Sequence, residues 1–276
     1  MFVAIIFALS LLVIWADWLA YKRCATLRSS WVKWVVAVAL VAMNILPYIA
    51  LVIMRLCDMP NMVPTMWLLT IYTTLSLSRL ALYAGVLLIK NRVVAWVVGG
   101  VLCGVALSVA LVGIFHTRKD LTIKSVDVVS SRLPEVFDGY RIALFSDTHF
   151  GAMIDEEKMC KLLVDKVNAL DSDLVVFGGD LVNVKYDELR PQIADILSRI
   201  EARDGVVAVL GNHDTGVYVR DTTLLPIEEN TRLLKERIEA MGWRMIDDKT
   251  EYLVREKDTL TLTGIGFSRE LLEYRH

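Results

Sequence analysis

Four long apolar runs occupy the first 115 residues of the chain, and short polar segments separate them. The runs are Met1–Ala20, Val35–Met54, Met66–Ile89 and Val93–Phe115. Each is close to the roughly 20 residues that an α-helix needs to cross a bilayer, and none has the polar face of a soluble amphipathic helix. The first run lacks the basic start of a signal peptide and is followed by further runs. We therefore predict a four-helix transmembrane N-terminal region, residues 1–115.

After a polar linker, residues 116–124, the pattern changes to short apolar runs that alternate with amphipathic segments. The predicted strands are Thr122–Val129, Arg141–Ser146, Leu174–Phe177, Val206–Leu210, Arg244–Ile246, Tyr252–Arg255 and Leu260–Ile265. The predicted helices are Asp155–Leu170, Asp187–Arg203 and Pro226–Met241. Alternation of strands and helices predicts a mostly parallel sheet, and such sheets bind ligands at the carboxyl ends of their strands. We expect residues 125–276 to form one α/β domain.

The distribution of charge separates the same two parts of the chain. Residues 1–115 hold eight basic and two acidic side chains, a net charge of +6, and residues 116–276 hold 22 basic and 30 acidic ones, a net charge of −8. Nucleic acids attract basic surfaces, so the acidic C-terminal part argues against a nucleic-acid partner and suits the binding of cations.

The basic residues also predict an orientation in the membrane. They concentrate in the loop after the first apolar run and in the turn after the third: Lys22, Arg23, Arg28, Lys33, Lys90 and Arg92. Short loops rich in lysine and arginine face the cytoplasm. Both termini, and with them the acidic domain, are then expected on the extracytoplasmic side. Three basic residues after the fourth run oppose this orientation: Arg118, Lys119 and Lys124.

Arg79 lies inside the third apolar run, where a charge is costly and is a candidate for function. The interpretation we favour is structural, because Arg79 can snorkel or pair with an acidic side chain such as Asp17.

Gly100 and Gly104 in the fourth run have the spacing of a helix-packing face. The four cysteines form no CxxC pair, so we interpret them as small apolar residues.

Three short polar clusters follow three of the predicted strands. They read Ser146-Asp147-Thr148-His149, Gly178-Gly179-Asp180 and Gly211-Asn212-His213-Asp214. A single aspartate at a strand end is most often a turn former. Three clusters at one predicted sheet edge, with two of the chain's four histidines, instead indicate half of a metal site.

The first two clusters offer ligands for cations. In extended backbone, Asp147 and His149 point to the same side and can reach one ion. Asp180 follows two glycines, which allow a close approach, and its two oxygens can bridge two cations. Asn212 in the third cluster offers a neutral amide oxygen.

The third cluster also offers groups for proton transfer. His213 stands beside the candidate ligands, where it can donate a proton or stabilise charge, and Asp214 can orient its imidazole ring. The candidate catalytic residues are therefore His213 and Asp214. The candidate metal ligands are Asp147, His149, Asp180 and Asn212.

The order Asp-x-His, Gly-Gly-Asp, Gly-Asn-His-Asp resembles the calcineurin-like metallophosphoesterase superfamily. The segment from Leu133-Pro134 to Phe137-Asp138-Gly139-Tyr140-Arg141-Ile142 resembles its membrane-associated branch. The resemblance covers the chain from about residue 122 onward and implies an αββα sandwich of two sheets flanked by helices. It also implies that Asp147 and His149 hold one metal, that Asp180 bridges two, that Asn212 binds the second and that His213 is catalytic.

The sequence departs from this family pattern at two points. Where the family often has a second aspartate three residues after the bridging one, this chain has Asn183. The family's remaining ligands are histidines of later motifs, the last of which is Gly-His-x-His. In this sequence the only histidine after Asp214 is His276. We therefore expect a C-terminally truncated domain whose second half is incomplete, with weak metal binding and little or no turnover.

The resemblance implies a hydrolase with two divalent metal ions, and the four predicted spans imply that it is anchored in a membrane. Manganese, iron or zinc suits mixed Asp, His and Asn ligands. The substrate is then a phosphomonoester, a phosphodiester or a pyrophosphate, either a phosphorylated small molecule or a lipid-linked compound of the envelope. Two alternatives stay open at this point. One is a non-catalytic membrane protein that keeps a degenerate phosphoesterase fold for binding. The other places the function in the four helices, which then handle lipids or small molecules.

Overall fold

The computed structural model describes residues 2–24, 30–56, 62–116, 120–153, 155–219 and 225–267. These residues divide into two compact units, the N-terminal helices and the chain from residue 122 onward. The domain limits at residues 115 and 125 stay predictions. Several residues named above lie outside the described ranges, so no role of theirs is tested: Arg28, Arg118, Lys119 and His276.

The first unit consists of four helices, α1 (Phe2–Cys24), α2 (Ser30–Leu56), α3 (Met62–Leu88) and α4 (Arg92–Phe115). All four are long and apolar enough to cross a membrane. Asn91 caps the N-terminus of α4, because its side-chain oxygen accepts the N–H groups of Val93 and Val94. Together with the α/β unit described below, these helices confirm the predicted fold class.

Arg79 and Asp17 form an ion pair between α3 and α1, 3.1 Å from Nη1 to Oδ2, and both side chains are buried. The Asp17 carboxylate accepts two more hydrogen bonds, from the Tyr83 hydroxyl at 2.7 Å and from Asn44 Nδ2 at 2.8 Å. The partner suggested by the sequence is therefore present, and one carboxylate connects α1, α2 and α3.

The glycines that bring α3 and α4 together are Gly85 and Gly99. A Cβ on Gly99 would lie 2.5 Å from the carbonyl oxygen of Leu82, so only glycine fits at this crossing. A Cβ on Gly100 or Gly104 would meet no described atom within 4 Å. The predicted packing face at Gly100 and Gly104 is therefore wrong by one residue, a shift of about 100° around the helix.

The second unit is built on a four-stranded parallel sheet, in the order β1 (Ile142–Phe145), β2 (Leu174–Phe177), β3 (Val206–Ala208), β4 (Arg244–Met245). The connections contain helices α5 (Glu156–Asn168), α6 (Pro191–Leu197) and α7 (Ile227–Ala240). An antiparallel hairpin of β5 (Thr250–Arg255) and β6 (Asp258–Thr263) follows.

Alternate side chains of the strands serve two layers, because successive side chains of a strand point to opposite faces. Val175 and Phe177 of β2 belong to the main core, which includes side chains of all three helices. Leu174 of β2 and Val207 of β3 pack on the other face, where Leu253 and Leu262 of the hairpin contact them. The sheet therefore lies between a helical layer and the hairpin.

Three predicted elements differ from the structure. Thr122–Val129 pairs with no described strand and its valines are exposed, since alternation alone supplies no partner for the backbone. The helix predicted at 187–203 is confined to α6, and a 3-10 turn, Tyr186–Glu188, precedes it. Pro191 starts α6 because a proline lacks the N–H that an interior position requires. The sequence predicts the hairpin turn at Lys257-Asp258, but the turn lies at Glu256-Lys257, because Arg255 pairs with Asp258.

Candidate metal centre

The three polar clusters come together at the carboxyl ends of β1, β2 and β3. Backbone hydrogen bonds join the first two, from Asp147 N to Gly179 O at 3.0 Å and from His149 N to Asp180 O at 3.1 Å. Asp147, His149 and Asp180 all have positive φ angles, 57°, 45° and 60°. Asp147 and His149 are therefore not in the extended backbone that the sequence suggested. Non-glycine residues in this region are strained, and such strain concentrates at functional sites.

Gly179 allows the second and third clusters to approach each other. Its φ is 99°, and a Cβ at this position would lie 2.5 Å from the backbone nitrogen of Gly211. A Cβ on Gly211 would in turn overlap the carboxylate of Asp180. Gly179 and Gly211 are therefore required by space, whereas a Cβ on Gly178, the other glycine before Asp180, would meet nothing closer than 3.3 Å.

His149, Asp180 and His213 present one ligand atom each within 4.8 Å of one another. The Nε2 atom of His149 lies 3.9 Å from Asp180 Oδ2 and 4.0 Å from Asp147 Oδ1. The Nδ1 atom of His149 is buried and has no hydrogen-bond partner among the described residues. Nitrogen and carboxylate oxygen donors at this spacing suit manganese, iron or zinc, so the residues present fit a divalent metal.

Asp147 lies at the open side of this group. Its side chain is 69% exposed, and one of its oxygens accepts a hydrogen bond from the hydroxyl of Ser146. The other oxygen faces His149. Asp147 is therefore a candidate ligand that remains accessible from solvent.

The side chain of His213 is fixed at its Nδ1 atom, which lies 2.6 Å from the carbonyl oxygen of Asn183. A carbonyl oxygen only accepts hydrogen bonds, so Nδ1 carries the hydrogen and Nε2 is left for chemistry. The backbone N–H of His213 donates to Asp180 Oδ1 at 2.9 Å. The His213 ring meets the His149 ring edge-on, with centroids 4.6 Å apart.

Asp214 does not contact the His213 ring as the sequence suggested. It is fully buried, and its carboxylate accepts four backbone N–H groups at 2.7 to 3.0 Å, those of Asp180, Leu181, Val182 and Gly211. Burial raises the pKa of Asp214 to about 6, although the N–H donors favour the ionised form. Asp214 therefore fixes the loops that carry the site, and the Asn183 carbonyl has the orienting place on His213.

Asn212 sits at the edge of the group and donates from Nδ2 to the hydroxyl of Tyr218 at 2.8 Å. The ring of Tyr218 also lies against the His213 ring, with centroids 4.4 Å apart. Sequence reasoning missed Tyr218, which stands outside the three motifs. The only signal was an aromatic residue six positions after Asn212 in the same loop.

Glu188 is a second residue that sequence reasoning missed. It is buried, and its Oε2 accepts the backbone N–H groups of Asn183, Val184 and Lys185. Burial raises the pKa of Glu188 to about 7. The carboxyl group thus holds the segment whose Asn183 carbonyl contacts His213.

Comparisons with known proteins identify the family of the α/β unit. The model of the calcineurin-like phosphoesterase family matches residues 140–276, about half of the chain. The chain is 30% identical over 171 residues to a transmembrane protein with metallophosphoesterase domain of Bos taurus, covering 58% of this chain and 38% of that protein. The protein of the same name of Danio rerio is 32% identical over 105 residues, covering 38% of this chain and 24% of that protein.

A UDP-2,3-diacylglucosamine pyrophosphatase of Chlamydia muridarum is 34% identical over 91 residues, covering 32% of this chain and 27% of that protein. The chain thus spans between a quarter and two fifths of the length of these curated relatives. No solved structure matches it significantly. Residues 140–276 place this chain in the calcineurin-like phosphoesterase family, among its membrane-associated members.

Proposed function

We propose that the α/β unit hydrolyses a phosphate ester or a pyrophosphate with the help of divalent metal ions. The observation that carries this proposal is the convergence of His149, Asp180 and His213, whose ligand atoms lie within 4.8 Å of one another at the sheet edge. The family match supports the reaction class. A parallel sheet offers its ligand sites at this edge.

The proposed ligands are Asp147, His149, Asp180 and Asn212. Asp180 has the most central position, because Oδ1 is held by the His213 N–H and Oδ2 faces His149. When bound, divalent ions polarise the phosphate group and promote ionisation of the attacking water. Manganese, iron or zinc fits the nitrogen and oxygen donors of the site.

His213 is the proposed proton-transfer residue. The Asn183 carbonyl holds the hydrogen on Nδ1, and the Tyr218 and His149 rings flank the imidazole, so the ring orientation is fixed. With Nδ1–H held in this way, Nε2 carries a second proton only in the imidazolium form of the ring, and this is the proton that His213 can pass to the leaving oxygen or direct at the negative charge of the phosphate. Asp214 acts at a distance in this proposal, since its carboxylate keeps the Asp180 and Gly211 backbone in place.

A membrane-bound phosphorylated compound is the proposed substrate. The support is the set of four apolar helices and the similarity to a pyrophosphatase that is named for a diacylated sugar nucleotide. Such a substrate has an acyl part that resides in the bilayer and a phosphate part that reaches an aqueous site. The phosphate bond proposed for cleavage is therefore in a lipid-linked compound.

The proposed location of the domain is extracytoplasmic. The two terminal guanidinium nitrogens of Arg23, at the end of α1, donate to carbonyl oxygens at the C-terminal end of α3, those of Leu87 at 3.0 Å and Ile89 at 2.6 Å. The basic segments around Arg23 and Lys90 therefore lie at the same end of the helix unit, and this end is expected in the cytoplasm. The test is a reporter that is active only in the cytoplasm, fused at Thr117. Activity of this reporter would contradict the proposed orientation.

The hydrolysis assay uses the full chain in detergent with Mn²⁺, a generic aryl phosphate, a bis-aryl phosphodiester and a diacylated sugar nucleotide pyrophosphate. We expect slow, Mn²⁺-dependent cleavage that is lost in Asp180→Ala. The control is Asp195→Ala, which removes an exposed carboxylate paired with Arg199 on the surface. Mn²⁺ binding without cleavage of any of the three substrates would favour the alternative, a domain that keeps this fold for binding.

A further inference from the structure

Tyr218 contacts two residues of the candidate site without belonging to its motifs. Its hydroxyl oxygen accepts a hydrogen bond from Asn212 Nδ2 at 2.8 Å, and its ring lies 4.4 Å from the His213 ring, tilted by 33°. Tyr218 is 44% exposed, so burial in a core does not explain its position. Its hydrogen bond and its ring contact are both with residues of the candidate site.

The hydrogen bond matters because the two ends of a carboxamide differ in chemistry. The Oδ1 atom of Asn212 can bind a cation, whereas the Nδ2 group is a donor and cannot. A half-turn of the amide about its Cβ–Cγ bond exchanges the two ends. A group that accepts from Nδ2 therefore selects the orientation in which Oδ1 is available as a ligand.

We propose that Tyr218 is a positioning residue that fixes the amide of Asn212 with Oδ1 directed to the metal site. This inference rests on the proposed function, since it assigns a role toward the second metal ion. The ring contact with His213 serves the same arrangement, because it holds the hydroxyl beside the loop that carries both Asn212 and His213.

Tyr218→Phe in the full chain tests this role, because it removes the hydroxyl and keeps the ring against His213. The probe is Mn²⁺ alone, with affinity and stoichiometry measured by titration and the electron paramagnetic resonance spectrum of the bound ion recorded. We expect the weaker of the two Mn²⁺ sites to lose about 10- to 100-fold in affinity, as is usual for outer partners of metal ligands. Tyr252→Phe is the matched control, since the Tyr252 side chain is exposed on β5.

A second pair of variants separates positioning of the amide from a general effect on the fold. In Asn212→Asp the carboxylate has two equivalent oxygens and no donor, so its orientation no longer needs the tyrosine hydroxyl. Adding Tyr218→Phe to Asn212→Asp is therefore expected to leave Mn²⁺ affinity and the resonance spectrum unchanged, a clear non-additivity in the double-mutant cycle.

The outcomes are distinct. Wild-type affinity in Tyr218→Phe overturns the inference alone, and so does an equal loss of affinity in the Asn212→Asp background. Absence of Mn²⁺ binding by the wild-type chain overturns the proposed function and this inference together.

Discussion

The carboxylate of Asp214 accepts the backbone N–H of Asp180 at 2.7 Å, so a residue of the third motif holds the central residue of the second. The same carboxylate accepts the N–H of Gly211 in its own motif at 3.0 Å. A fully buried carboxylate with four N–H donors is costly to replace, because each donor left unsatisfied costs about 1–3 kcal/mol.

Asp214→Asn is therefore expected to destabilise the α/β unit by about 3 kcal/mol. The new amide nitrogen would face N–H donors where an oxygen now accepts them. The check is the free energy of unfolding from urea titration, with Asp195→Asn as the surface control, for which a change below about 1 kcal/mol is expected. Equal urea midpoints for Asp214→Asn and the wild type would contradict this account of the buried carboxylate.

The raised pKa of Glu188 predicts that the free energy of unfolding of the α/β unit depends on pH. Burial raises its pKa from 4.5 to about 7, so the folded state holds the proton more tightly than the unfolded state. The resulting stabilisation is complete below pH 4.5 and is lost as the pH rises to about 7. Glu188→Gln removes this titration while its amide oxygen still accepts the N–H groups of the loop.

At pH 8 the Glu188→Gln variant is expected to be more stable than the wild type by about 3 kcal/mol, and at pH 4.5 the two should be similar. Urea titrations at several pH values between 4.5 and 8 measure the difference. The raised pKa of Asp214 gives a slope of the same sign in both proteins, up to about pH 6. Parallel stability profiles for the two proteins would show that Glu188 does not titrate as described.

The contact between α3 and α4 predicts opposite outcomes at adjacent glycines. Gly99→Leu places a side chain against the backbone of Leu82 and is expected to destabilise the helix unit by about 1–3 kcal/mol. Gly100→Leu, one residue further, meets open space and should leave stability unchanged. Thermal unfolding in detergent distinguishes them, and equal melting temperatures for the two variants would rule out the Gly85–Gly99 crossing.

The ion pair in the helix unit predicts an asymmetry between its two members. Asp17→Ala leaves the Arg79 charge without its carboxylate and is expected to cost about 3 kcal/mol. Arg79→Met costs less, because Asp17 keeps the Tyr83 hydroxyl and the Asn44 amide as donors. Unfolding in detergent measures both variants, and a larger loss for Arg79→Met would contradict this assignment.

The parts of the structure that sequence reasoning predicted well depend on local patterns. Four apolar runs gave the four helices, because span length and lack of a polar face are visible in one stretch of sequence. The strands β1, β2 and β3 were predicted from short apolar runs. Their parallel pairing then placed His149, Asp180 and His213 at one edge, since parallel strands end on the same side.

The parts that were missed depend on contacts between distant segments. The left-handed backbone at Asp147 and His149 follows from hydrogen bonds to Gly179 and Asp180, more than 30 positions away. The acceptor role of Asp214 likewise depends on Asp180 and its neighbours. A strand was predicted at Thr122–Val129 because its alternation is local, whereas the partner that a strand needs is not.

The measurement that tests the central claim most directly is equilibrium dialysis of Mn²⁺ against the full chain, for the wild type, Asp180→Ala, His149→Ala and Asp195→Ala. The wild type and Asp195→Ala are expected to bind Mn²⁺ with the same affinity, and Asp180→Ala and His149→Ala to bind it at least about 10-fold more weakly. Unaltered Mn²⁺ affinity in Asp180→Ala would contradict the claim that the three strand-end clusters form a metal site.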